Sequence, residues 1–143
     1  MYKIASSEMT AYLPHRPPFI MVDHLVEAEG NMYQSVFWVA HDNVFLDGDT
    51  LREFALIENI AQTCAAGIGY LSRSNGNSAP MDGLMGGISK LTVFKLPQVE
   101  DLIETTVTKL QQFGEMYSFK GVCCTGTSKL LECELVLVGL PKK

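Results

Sequence analysis

The chain has 143 residues, 47% hydrophobic and 19% charged, with a formal net charge of −5. That length predicts one domain, residues 1–143, with enough chain to bury a real core. The acidic balance argues against nucleic acid or an anionic membrane surface as partner, and no apolar run is long enough for a helical membrane span.

The N-terminus, Met1-Tyr-Lys-Ile-Ala-Ser-Ser7, lacks the apolar core of a signal peptide, so a cytoplasmic protein is expected. Residues 6–12 predict a short helix, ended by Pro14. Leu13 to Phe19 is a rigid turn with three prolines. Residues 20–27 and 32–40 have strand character, with a turn at Gly30-Asn31. A helix is predicted from about Thr50 to Leu71. Residues 72–80 form a polar loop with Gly and Pro. Four strands follow, over 84–94, 102–113, 116–125 and 129–138. Gly114-Glu115 and Gly126-Thr127 turn the last three. One buried helix with six strands on short turns predicts an α+β fold, an antiparallel sheet curled around the helix. Lys109 and Lys120 are expected on its outer face.

The helix is the most informative stretch. Asp49 or Thr50 can cap its start, and Thr50-Leu-Arg-Glu53 fits a capping box. Phe54, Ile57, Ala61, Cys64, Ala65 and Ile68 fall at helical spacing. Leu56, Ile60, Ala66 and Gly67 leave the opposite face apolar too, which predicts a helix inside the core. The small residues Ala65, Ala66, Gly67 and Gly69 suit a second backbone at close range. Glu58 and Gln62 interrupt this surface on one face, four residues apart. A carboxylate there is costly unless it is paired or used.

Cys64, Cys123, Cys124 and Cys133 fall in apolar runs without CxxC spacing. They read as free thiols in a reducing compartment, with adjacent Cys123 and Cys124 on opposite faces of a strand.

Leu13-Pro-His-Arg-Pro-Pro-Phe-Ile-Met-Val-Asp23 resembles the N-terminal signature of the 3-hydroxyacyl-acyl-carrier-protein dehydratases of the FabZ/FabA type. Ala55-Leu-Ile-Glu-Asn-Ile-Ala-Gln62 is similar to their central-helix motif, and Gly87-Ile-Ser-Lys-Leu-Thr-Val-Phe-Lys95 extends the likeness over most of the chain. The nearest resemblance is to the dehydratase-like, ApeP-like subunits of aryl-polyene biosynthesis. It implies the hotdog fold, a dimer with active sites at the subunit interface, an acyl carrier protein as partner, and no cofactor. A homodimer is the ordinary expectation, and a heterodimer with a His-bearing paralogue the alternative.

One departure bears on the chemistry. The family carries a catalytic His before the helix, whereas here the segment reads Val44-Phe-Leu-Asp-Gly-Asp-Thr-Leu51, which aligns Asp49 with that His. Loss of water from a 3-hydroxyacyl thioester needs a base for the α-proton and a proton donor for the hydroxyl. The resemblance assigns the donor to Glu58; a Glu tied to Gln62 is the plain reading. Gln62 either orients Glu58 or lies at the subunit interface. His15, His41 and Asp49 are the candidate bases, with a turn, a strand end and an N-cap as their ordinary uses. His24 is expected to pair with Asp23. Gly86 and Gly87 either line the acyl tunnel or mark a bulge. Lys90, Lys95 and Arg73 either receive the carrier protein or are simply solvated. Three readings stay open: a dehydratase, a non-catalytic or half-catalytic subunit, and a thioesterase using Glu58.

Overall fold

A computed structural model describes residues 1–76 and 82–140. A 3-10 helix, Ser6–Ala11, leads to strands β1 (His24–Glu29) and β2 (Met32–Trp38), a small hairpin β3 (Leu46–Asp47) and β4 (Thr50–Leu51), and helix α1 (Glu53–Ser74). Strands β5 (Asp82–Val93), β6 (Leu102–Phe113), β7 (Met116–Thr125) and β8 (Ser128–Leu140) complete it. Six strands form one antiparallel sheet in the order β1-β2-β6-β7-β8-β5. Alternation decides its inner face: Tyr33, Ser35 and Phe37 of β2, Ile103, Thr105 and Val107 of β6, and Phe119, Gly121 and Cys123 of β7 are buried. The helix lies against that face and touches all six strands. This is the expected hotdog arrangement.

The helix begins later than its capping box predicts. Thr50 and Leu51 pair with Asp47 and Leu46 as a hairpin, and Arg52 is the N-cap, with no side-chain cap bond. Leu51 is fully buried, and its N–H donates to the Pro97 carbonyl at 2.9 Å. Those tertiary bonds take the residue out of the helix. The Thr50 hydroxyl accepts from Gln98 Nε2, and Glu53 pairs with Arg52. At the other end α1 runs on through Ser74, so the predicted loop starts late, and its residues 77–80 lie outside the described ones.

Strand β1 also starts later than expected. The backbone at Met21 bonds to α1 instead of a strand: Gln62 Oε1 accepts its N–H and Asn59 Nδ2 donates to its carbonyl, both at 2.7 Å. Nor is α1 apolar all round. Asn59, Gln62 and Thr63 are buried, while Phe54 is 52% exposed. Asn59 Oδ1 accepts from the Thr105 hydroxyl at 2.5 Å, and the Thr63 hydroxyl shares a 2.7 Å bond with Ser35. A polar seam thus runs between helix and sheet. Asn59 and Thr63, four residues apart, signal it in the sequence as clearly as Glu58 and Gln62 do.

Of the small helix residues, Gly67 faces an aromatic ring, and Gly69 has both the ring and the backbone carbonyl of Tyr12 beside it. A methyl on Gly67 would run into the Tyr33 ring. On the sheet, Gly121 makes room for Ile60 in the same way.

Candidate active site around Glu58

Phe54, Glu58 and Gln62 follow one line along α1, a turn apart. The Pro-rich segment crosses over that line and is fastened to it. Gln62 Nε2 donates to the Phe19 carbonyl at 3.0 Å and to Glu58 Oε2 at 3.3 Å. Buried Leu13 anchors the start of the segment. The Arg16 guanidinium folds the turn by donating to the carbonyls of Leu13 (2.9 Å) and His15 (2.7 Å). His15 is thereby set over the helix, with Nε2 3.9 Å from Glu58 Oε2. Both side chains stay partly open to solvent, at 32% and 22%. Yet the Nδ1 atom of His15 is buried and has no hydrogen-bond partner among the described residues.

Glu58 and His15 line a cavity of about 70 Å³ with Pro14, Ala61, Ala65, Met85 and Leu137. Apart from the two titratable groups its walls are apolar. Beside it Phe45 lies between Phe19 and Phe54, with ring centroids 6.5 and 5.3 Å apart. The two outer rings are about half exposed. Larger hollows of about 420 Å³ near Pro17, Pro18 and Trp38, and about 210 Å³ along β1, β2, β6 and β7, contain neither Glu58 nor His15.

The other candidates lie elsewhere in this chain. Asp49 is exposed in the β3–β4 turn, where its carbonyl accepts from Val99 N–H; it caps nothing and does not line the cavity. His41 Nε2 meets Glu100 Oε1 at 3.2 Å on the surface, 69% exposed. His24 is not paired simply with Asp23. Its Nδ1 accepts the Ser6 N–H at 2.9 Å, and its ring stacks on Tyr2. Asp23 accepts the Trp38 N–H at 2.8 Å; burial pushes its carboxyl up, opposed by that bond and by His24. The register of β5 shifts between Met85 and Gly87, so the glycines do mark a bulge. Met85, not Gly86 or Gly87, reaches the cavity.

Two of the three candidate docking cations have local work. Arg73 donates to the Ala11 carbonyl and lies 4.3 Å over the Tyr12 ring, while Lys90 meets Glu134 at 3.1 Å. Lys95 is exposed. Lys109, placed on the outer face from the sequence, is half-buried and donates to Gln112. Cys64, Cys123 and Cys133 are buried free thiols, and Cys124 is half-buried. Burial pushes the Cys123 thiol up to about 12 and that of Cys133 to about 11, and raises Cys64 well above its ordinary value. Among the described residues no group of three His, Cys, Asp or Glu is placed to hold a metal, and no helix is long and apolar enough to cross a membrane.

Residues 7–141 match the family model for ApeP-like proteins, described as ApeP dehydratase. The chain belongs to the ApeP-like dehydratase family. A curated relative, the 3-hydroxyacyl-[acyl-carrier-protein] dehydratase FabZ of Petrotoga mobilis, is 26% identical over 140 residues, covering 94% of this chain and 96% of that one. The dehydratase heterocomplex ApeI:P from Xenorhabdus doucetiae superposes with a TM-score of 0.86 at 20% identity, over 94% of this chain and 91% of that one. A hypothetical thioesterase protein with coenzyme A from Streptococcus pneumoniae shares the fold at TM-score 0.65 and 8% identity, over 83% and 86% of the two chains. This ApeP-like chain therefore has the hotdog fold and a dehydratase-like role. Within it the segments Leu13–Asp23 and Ala55–Gln62 meet along the helix, through Met21 and Phe19 on Asn59 and Gln62 and through His15 on Glu58 at the cavity.

Proposed function

We propose that this chain supplies the Glu58 half of a 3-hydroxyacyl-thioester dehydratase site, and that a second, His-bearing subunit completes it. The observation that carries the reading is the setting of Glu58: held by Gln62, facing His15, and opening on an apolar cavity. The name of its FabZ relative supports 3-hydroxyacyl groups on a carrier protein as substrate. Glu58 gives its proton to the departing hydroxyl, which leaves as water. A base takes the α-proton, and the thioester oxygen gains charge meanwhile. The start of α1, without a side-chain cap, offers N–H groups to that oxygen.

Two features support completion by a partner. A cavity of about 70 Å³ is small beside the several hundred Å³ usual for ligand sites, so one chain alone does not enclose an acyl thioester. Strand β5 pairs only with β8 among the described strands, and Ile88, Leu91, Val93 and Phe94 are 42–50% exposed along and just beyond it. An apolar edge like this is a liability until another strand covers it. The missing catalytic His and the likeness to a heterocomplex favour a paralogue over a second copy.

The test is enoyl-thioester formation from a 3-hydroxyacyl-carrier protein. The pure protein should be slow, and mixing with a His-bearing paralogue from the same cell should raise the rate. In that mixture Glu58→Gln should fold normally and lower turnover at least ~100-fold, the scale of one acid–base group. Fast turnover by the pure protein, indifferent to Glu58→Gln, would remove both parts of the reading.

A further inference from the structure

His15 has a feature that a merely structural turn residue does not need. One ring nitrogen, Nδ1, is buried with no partner among the described residues, while the other, Nε2, is 3.9 Å from the Glu58 carboxylate. A neutral imidazole carries one proton, on either nitrogen. Among the described residues Nδ1 is unpaired whichever nitrogen holds the proton, a buried donor in one tautomer and a buried acceptor in the other, so the choice is made at Nε2. On Nε2 the proton points toward Glu58 and can be given to an oxygen held between the two groups, whereas a bare Nε2 has nothing to give. The Nε2–H tautomer is the one that bonds such an oxygen as a donor. A nitrogen that already carries its proton cannot take another, so this face of His15 is a donor and not a base.

The distance adds a second constraint. At 3.9 Å the two groups are too far apart for a direct hydrogen bond and close enough for one oxygen atom to bond both. A hydroxyl oxygen has two lone pairs and can accept from two donors. We propose that His15 Nε2–H and the Glu58 carboxyl together grip the 3-hydroxyl of the substrate, making His15 a specificity-determining donor for the leaving group. This rests on the dehydratase reading above and deepens it.

The elimination then balances without a proton from His15. The α C–H bond breaks and its proton goes to the base of the second subunit. Its electron pair forms the C=C bond. The C–O bond breaks with its pair on oxygen, and that oxygen takes the Glu58 proton and leaves as water. His15 keeps its Nε2 proton throughout and stabilises charge as it builds on the oxygen.

The test uses the complex of this chain with the His-bearing paralogue, the paralogue's catalytic His replaced by Ala to stop turnover, and compares binding of a 3-hydroxyacyl thioester with that of the same acyl thioester lacking the hydroxyl. Wild type should prefer the hydroxyacyl form about a hundredfold, the scale of two hydrogen bonds of ~1.4 kcal/mol each. His15→Phe, which fills the space without a donor, should cut the preference about tenfold. His15→Gln, which restores an N–H, should keep it within about threefold. Should His15→Phe fail to fold in a thermal melt, His15→Gln alone decides, because loss of the preference there also overturns the proposal. A preference that survives undiminished in His15→Phe, or no preference in wild type while both thioesters bind, refutes the grip and leaves the dehydratase reading standing. Binding of neither thioester sinks that reading itself and the grip with it.

Discussion

Gln62 accepts the N–H of Met21 at 2.7 Å, across 41 residues of chain. The same side chain donates to Phe19 and Glu58, so one amide fixes both the Pro-rich segment and the acid. Gln62→Met keeps the volume and removes every one of these bonds. It leaves the Met21 N–H and the Phe19 carbonyl unpaired, and stability should fall by about 2–4 kcal/mol. Urea denaturation measures this, and a loss under about 1 kcal/mol would show that the segment is held by packing alone.

Gly67 separates two effects of opposite sign. Ala is the better helix former by about 1 kcal/mol, so propensity alone predicts that Gly67→Ala stabilises α1. The added methyl meets the ring of Tyr33, itself only 2% exposed and without room to retreat. Overpacking costs about 1–3 kcal/mol and should win, giving a lower melting temperature. A raised one would mean that the ring moves freely.

The buried thiols set an alkaline limit. Their ordinary value is 9.0, against about 12 for folded Cys123, about 11 for Cys133, and a raised value for Cys64. Above pH 9 the unfolded chain has lost protons that the native chain still holds. Stability from these groups is complete below pH 9 and should fall as pH rises toward 11–12. Chemical denaturation at pH 8, 9 and 10 tests the sign. At pH 8 a thiol reagent should label half-buried Cys124 in the native protein and the other three only after unfolding; prompt labelling of all four would contradict their burial.

The β5 edge gives a prediction about assembly. Charges on exposed apolar positions of an edge strand block strand pairing. Ile88→Lys combined with Val93→Lys should therefore keep the protein from forming a dimer with the paralogue in light scattering, with the fold retained by circular dichroism. A wild-type protein already of monomer mass, alone and with the paralogue, would remove the edge from the proposed interface.

The succession of the six long strands along the chain and the presence of one central helix are legible in the sequence because burial patterns are local. Alternation over 102–113 and 116–125 marks those strands to the residue. The spacing of Glu58 and Gln62 puts them on one face by helix geometry alone. The start of α1 is not legible, because a capping box at Thr50 loses to the bond between Leu51 and Pro97, 46 residues on. The setting of His15 over Glu58 is beyond local pattern for the same reason. Many polar side chains could pair with a lone carboxylate, and only the packed fold selects one. That selection is made by Gln62, Asn59 and Arg16, which fasten the Pro-rich turn across the helix and leave a single imidazole nitrogen facing the acid.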